Sequence, residues 1–267
     1  MRVSSDPIGV FDSGIGGLTV VKEIIKTLPN ENIIYLGDTA RVPYGTRGKA
    51  VIKKFALELA NYLIRKKVKF LVVSCNTISA TCLKAIVEIS PVPVIGVVEP
   101  AVSLAVKTSQ NQKIWVIGTQ ATVDSKIYEK EIKKLLPNAR VYTKPGSLFV
   151  PLVEEGLGSH FATWQIAKDY LSGFKSTGID TLILGCTHFP LLTDVIQDIV
   201  GPDVTLVDSA KPTAEALKQK LQELNLLNKD SHHSIKILVT DAPSRVNKVA
   251  GNFFGNHLPV KPVKIIL

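Results

Sequence analysis

Apolar residues in this chain fall into two patterns. Short unbroken blocks of strand length alternate with longer stretches in which apolar positions recur near a period of 3.6. The blocks Ile8 to Phe11, Ile33 to Leu36, Phe70 to Val73, Val94 to Val98, Lys113 to Ile117, Arg140 to Thr143, Thr181 to Leu184, Val204 to Val207, Ile235 to Val239 and Val263 to Leu267 read as strands. Helices are predicted over Leu18 to Leu28, Gly48 to Lys67, from Ile78, after Thr119 to Leu136, and over Thr163 to Ser172, Leu191 to Val200 and Thr213 to Leu226. Val51, Phe55, Leu59, Tyr62 and Leu63 mark the apolar stripe of the second of these. Such alternation predicts an α/β fold of mostly parallel sheets flanked by helices.

The pattern also repeats. Asp12 maps to Gly118 at an offset of 106, Cys75 to Cys186 at 111, and Val98-Glu99-Pro100-Ala101 to Val207-Asp208-Ser209-Ala210 at 109. Three landmarks near one offset imply two similar α/β domains, residues 1–98 with 209–267 and residues 99–208, with the site in the cleft between them. No low-complexity linker marks either crossing.

Composition narrows the class. Hydrophobic residues make up 45% and charged residues 21%, enough for a core and no sign of disorder. No apolar run could cross a bilayer, and no signal-peptide h-region precedes the first strand, so a soluble, cytoplasmic protein is expected. The net charge of +9 raises a nucleic-acid partner, but Lys and Arg are scattered along the chain. The densest run, Arg65-Lys66-Lys67-Val68-Lys69, sits where a helix ends, where cations suit the dipole. No reader motif supports a nucleic-acid partner. Three cysteines are too few for a disulfide framework.

The candidate chemistry collects at strand ends, where open parallel sheets bind ligands. Asp12-Ser13, Asp38 to Gly45, Cys75 to Thr77, Gly118-Thr119 and Cys186 to His188 all fall there. Gly14-Ile15-Gly16-Gly17 fails the dinucleotide pattern because Thr19 stands where Gly or Ala is needed, which makes Asp38 a false ribose acid. The glycines are expected to bring backbone N–H groups onto an anionic group such as a carboxylate; the alternative is a tight turn without a ligand. Cys82 fits a small buried hydrophobe. Cys75 and Cys186 do not: each ends a strand, is followed by hydrogen-bonding side chains, and is expected to precede a helix N-terminus that lowers a thiol pKa from about 8.5. No Cys-x-x-Cys or His pair suggests a metal. Two equivalent thiols suit removal of a proton from one face of a carbon and its return to the other. His188 is either a structural histidine or a group that tunes Cys186. Glu154-Glu155 are either exposed loop acids or a carboxylate near the second thiol, and His232-His233 read as surface.

Gly9 to Val20, Gly37 to Gly45, Ser74 to Thr77 and Gly185 to Leu192 together resemble the bacterial glutamate racemases of the aspartate/glutamate racemase family. The resemblance covers most of the chain, in order. It implies a cofactor-independent, metal-free isomerase that interconverts L- and D-glutamate, with Cys75 and Cys186 as the two acid/base residues. Asp12 and His188 would assist Cys75 and Cys186 respectively, and Glu154 matches a further acid. Substrate contacts are implied for Asp12, Ser13, Pro43, Tyr44, Gly45, Asn76, Thr77, Thr119, Thr122, Thr187 and His188. Ile78 and Phe189 depart from the commoner residues at their positions. A homodimer supplying D-glutamate for peptidoglycan is implied as well, and no cell-wall precursor is expected as an activator. Three other readings stand beside it: an aspartate or broad-specificity racemase, a two-lobed binding protein, and a thiol hydrolase, which leaves the second cysteine unexplained.

Overall fold

A computed structural model of the chain describes residues 2–230, 233–244, 246–247 and 260–264. Ten strands form two sheets among these residues, and every pairing is parallel. In the first sheet, β1 (Ile8–Asp12), β2 (Ile33–Gly37), β3 (Phe70–Val73) and β4 (Val94–Gly96) join β9 (Ile235–Val239) and β10 (Val260–Pro262) in the order β10-β9-β2-β1-β3-β4. The second sheet contains β5 (Lys113–Gly118), β6 (Arg140–Pro145), β7 (Thr181–Gly185) and β8 (Thr205–Val207) in the order β6-β5-β7-β8. That order repeats β2-β1-β3-β4, so the offset seen in the sequence reflects a duplicated strand plan.

Helices cover both faces of each sheet, which is why β1, β2, β3 and β7 are apolar at nearly every position and fully buried. On the first sheet, α1 (Leu18–Thr27) and α10 (Ala210–Glu223) enclose one core, and α2 (Lys49–Arg65) and α3 (Asn76–Ile89) the other. On the second, α4 (Val98–Thr108) and α6 (Ile127–Leu135) lie toward one face, and α7 (Phe149–Glu154), α8 (Phe161–Tyr170) and α9 (Thr193–Val200) toward the other, while the short α5 (Gln120–Asp124) packs against α3. No helix among the described residues is long and apolar enough to cross a membrane.

Four elements differ from the sequence expectation. The strand expected through Val98 stops at Gly96, because Val98, Ala101, Val102 and Ala105 form the buried stripe of α4 against the second sheet. The charged helix after Thr119 is two helices, split where Lys126 adopts a left-handed φ of 55°. Helix α7 stands where no helix is predicted, and ends on Glu154, one of the two acids placed on a loop; Pro151 sits inside its only two turns. The last strand is Val260–Pro262, not Val263 to Leu267; Val263 and Lys264 follow it and 265–267 lie outside the described residues.

At the ends of the strands away from the cleft, Lys69 and Glu31 are both buried. Lys69 Nζ donates to Glu31 Oε2 at 2.5 Å and to the Ser4 carbonyl, and Glu31 Oε1 accepts the Asn228 N–H at 2.8 Å. The pair ties the N-terminal segment, two central strands and the segment after α10 to one point. Removing one partner of such a pair strands a buried charge. Lys69→Ala is therefore expected to destabilise the fold by about 3–5 kcal/mol, read as a lower urea midpoint at unchanged slope.

Candidate active site

All the loops at the carboxyl ends of β1, β2, β3, β5, β6 and β7 turn toward one another. They enclose a cavity of about 300 Å³ between the two sheets. Cys75 and Cys186 both line it, each delivered by a buried strand of a different sheet. Ser13, Pro43, Tyr44, Gly45, Asn76, Thr77, Thr119, Glu154, Thr187 and His188 line it too, so most residues expected from the sequence converge.

Asp12 and Thr122 are brought close but stand one bond behind the wall. Thr122 Oγ1 shares a 2.9 Å hydrogen bond with Thr119 Oγ1, which in turn lies 2.9 Å from Thr77 Oγ1. Asp12 is fully buried; Gly14 N donates to its Oδ1 at 2.8 Å, and the Thr187 hydroxyl lies 3.4 Å from Oδ2. The glycines therefore do close on a carboxylate, but it is the protein's own: Gly14, Gly16 and Gly17 do not line the cavity. Gly16 is needed for a different reason. A Cβ there would meet Thr187 Oγ1 at 2.3 Å and His188 Nδ1 at 2.7 Å, across the seam between the sheets.

The two thiols have unlike neighbours. Cys75 caps the N-terminus of α3, and its Sγ lies 3.4 Å from Ser13 Oγ. Burial and then the Asp12 charge push its thiol up to about 12, overriding the expected helix effect. Cys186 precedes only the short 3-10 turn Phe189–Leu192, not an α-helix N-terminus as expected. Its Sγ lies 3.8 Å from His188 Nδ1, and His188 Nε2 lies 3.1 Å from Glu154 Oε1. Burial alone would lower the His188 pKa; the bonds and charges of Cys186 and Glu154 outweigh it and raise it to about 10. His188 thus carries a proton near neutral pH and holds it beside Cys186. Burial pushes the Asp12 carboxyl above its ordinary value, against the opposing pull of His188 and the Gly14 and Gly17 N–H groups.

Asp38, read from the sequence as a false ribose acid, holds the cavity loop instead. It accepts the Tyr44 hydroxyl, Arg41 Nε at 2.6 Å and Thr240 Oγ1 at 2.8 Å. Val42, inside the expected stretch Asp38 to Gly45, lines the cavity, and so do Thr46, Ser147, Leu148, Val150 and Pro151, which were not anticipated. The last four belong to α7 and the turn before it, and the spacing Leu148-Phe149 to Leu152-Val153 carries the helical signal that would have found them. Cys82 is buried, with Sγ 3.4 Å from the Ile78 carbonyl, as a packing residue should be. Exposed His233 is at the surface as expected; His232 lies outside the described residues.

Fold and site together define an α/β protein with a small-molecule cavity between two parallel sheets. A family profile described as Asp/Glu/Hydantoin racemase matches residues 8–217. A glutamate racemase of Geobacter metallireducens is 45% identical over 255 residues, covering 94% of this chain and 93% of its own. Among solved structures, a glutamate racemase isoform of Bacillus anthracis matches with a TM-score of 0.95 at 38% identity, covering 98% of each chain. The glutamate racemase of Francisella tularensis in complex with D-glutamate matches with a TM-score of 0.93 at 42% identity, covering 98% of this chain and 99% of its own. The chain belongs to the Asp/Glu/Hydantoin racemase family. It is an isomerase, an amino-acid racemase.

His188 generates a stability prediction. Its folded pKa lies above its unfolded value of about 6.5, so its contribution is complete below that pH and is lost as pH rises through about 10. The stability advantage of wild type over His188→Asn is therefore expected to shrink steadily from pH 6.5 to 10 in urea titrations. A constant gap would show that the proton on His188 does not stabilise the fold.

Proposed function

We propose that this racemase interconverts L- and D-glutamate without a cofactor, by proton transfer between two cysteines. The observation that carries the reading is the pair of thiols, one from each sheet, on one cavity. The relatives named glutamate racemase, and the D-glutamate in the Francisella tularensis structure, support the substrate.

In this mechanism one cysteine, as thiolate, takes the α-proton from one face, breaking the C–H bond. The other, as thiol, gives a proton to the opposite face and forms the new C–H bond. The roles exchange in the reverse direction. Asp12 serves the Cys75 side, through charge and through the wall behind Ser13, whereas His188, oriented by Glu154, serves the Cys186 side. Hydroxyls of Ser13, Thr77, Thr119 and Thr187, with the Asn76 amide, Pro43, Tyr44 and Gly45, hold the two carboxylates and the ammonium in a site closed to bulk water. Fixed dipoles count for more there than in solution. Thr122 and the buried Asp12 act from behind these contacts.

The chain divides, in this reading, into one unit of residues 1–98 and 209–267 and another of 99–208; the packing of α4 on the second sheet supports the first crossing. A cytoplasmic homodimer that supplies D-glutamate for peptidoglycan completes the reading and rests on the family alone.

The test is incubation with L-glutamate in D2O without added cofactor, following optical rotation and α-deuteration. Rotation should vanish as deuterium enters the α-carbon. Cys75→Ser and Cys186→Ser should each lower racemisation by about 10²–10⁴-fold or more, while retaining exchange or elimination chemistry on one face. Full activity in either variant would sink the two-base mechanism, and turnover of aspartate instead of glutamate would move the substrate assignment.

A further inference from the structure

Tyr128 stands at the start of α6, two residues after the left-handed Lys126. Its ring is buried in the core shared by α4, α6 and the second sheet. There it lies against the residue before Cys186: a Cβ built on Gly185 would come within 3.3 Å of Tyr128 Cε2. Its hydroxyl reaches the other sheet's loop and accepts a 2.7 Å hydrogen bond from Asn76 Nδ2, on the residue after Cys75. The same Nδ2 donates at 2.9 Å to Ser209 Oγ, at the N-terminus of α10, where the chain returns to the first sheet. One side chain therefore touches the immediate neighbours of both thiols.

Asn76 lines the cavity, and its Oδ1 is buried without a protein partner. Tyr128 and Ser209 engage the donor side of the amide and leave the acceptor side as its open group. Burial raises the Tyr128 hydroxyl to about 12, so it stays a neutral hydrogen-bonding group at any working pH.

We propose that Tyr128 is a positioning residue, a spacer that sets the separation of the two thiol-bearing strand ends and the orientation of the Asn76 amide. The inference rests on the two-thiol reading above. Proton transfer on opposite faces of one carbon requires both sulfurs to be aligned at once, and a misplacement of about 1 Å costs roughly 100-fold. The ring supplies the distance to Gly185 and the hydroxyl supplies the tie to Asn76, so the two parts are separable.

Tyr128→Phe keeps the ring and removes the tie; Ser209→Ala removes the second tie to the same amide. Wild type and both variants are incubated with D-glutamate in D2O, and two quantities are read: racemisation kinetics, and deuterium in recovered D-glutamate per inversion. In Tyr128→Phe, kcat should fall roughly 10–100-fold with KM changed less. Deuterium per inversion should rise severalfold, because a carbanion facing a displaced second thiol persists while the first thiol exchanges the captured proton for solvent deuterium, and that deuterium is then returned to the original face. Ser209→Ala should shift the ratio the same way by less. Loss of stability alone would lower the amount of active protein and leave the ratio where it was. An unchanged ratio in both variants overturns the proposal, and if Tyr128→Phe fails to fold, an unchanged ratio in Ser209→Ala overturns it alone. A wild-type protein that leaves both D-glutamate and D-aspartate unaltered overturns the two-thiol reading and this inference with it, whereas active wild type with unaffected variants overturns only the role of Tyr128.

Discussion

The joint between the sheets depends on a carboxylate with no exposed surface. Burying an ion is costly unless its oxygens are satisfied. Asp12 meets that requirement with N–H groups from Gly14 and Gly17 on its own sheet, and with the Thr187 hydroxyl and His188 charge from the other. The glycine-rich turn exists so that these groups can approach: any side chain at Gly16 would push Thr187 and His188 away. Satisfying Asp12 and docking the Cys186 loop are one event. The same charge sits close enough to Cys75 to oppose its ionisation.

The two halves of the site thus share a strand plan and differ in charge. The duplicated order β2-β1-β3-β4 and β6-β5-β7-β8 places each cysteine after the equivalent strand. A buried acid stands by the first thiol, and a protonated imidazole braced by Glu154 stands by the second. The difference comes from single positions at element ends: the last residue of β1 is Asp12, and the last residue of α7 is Glu154.

Much of this was legible in the sequence. Unbroken apolar blocks as short as Phe70 to Val73, set between helical stretches, read as strands covered on both faces, and Cys75 and Cys186 follow two of them. The glycine turn was legible as a turn that closes on an anion, but not as one that closes on Asp12, because the partner is two residues away and the docking loop 175 residues away. The Cys75 environment was misjudged for a related reason. A helix N-terminus is a local feature visible in sequence, whereas the desolvation that outweighs it comes from packing between sheets. Short α7 leaves little periodic signal in six residues, Pro151 among them, and it and the turn before it hold four cavity-lining residues that the sequence did not mark. Tyr128 carried no signal at all: in sequence it is one more apolar position on an amphipathic helix.

The unlike neighbours of the two thiols have a thermodynamic consequence. Enantiomers have identical free energies in an achiral solvent, so the equilibrium constant of racemisation is one. The Haldane relation then forces kcat/KM to be equal in the two directions, however differently Asp12 and His188 treat their cysteines. The chemical asymmetry of the site can appear only in how that common quotient is divided: a larger kcat toward one enantiomer must be matched by a proportionally weaker hold on its substrate.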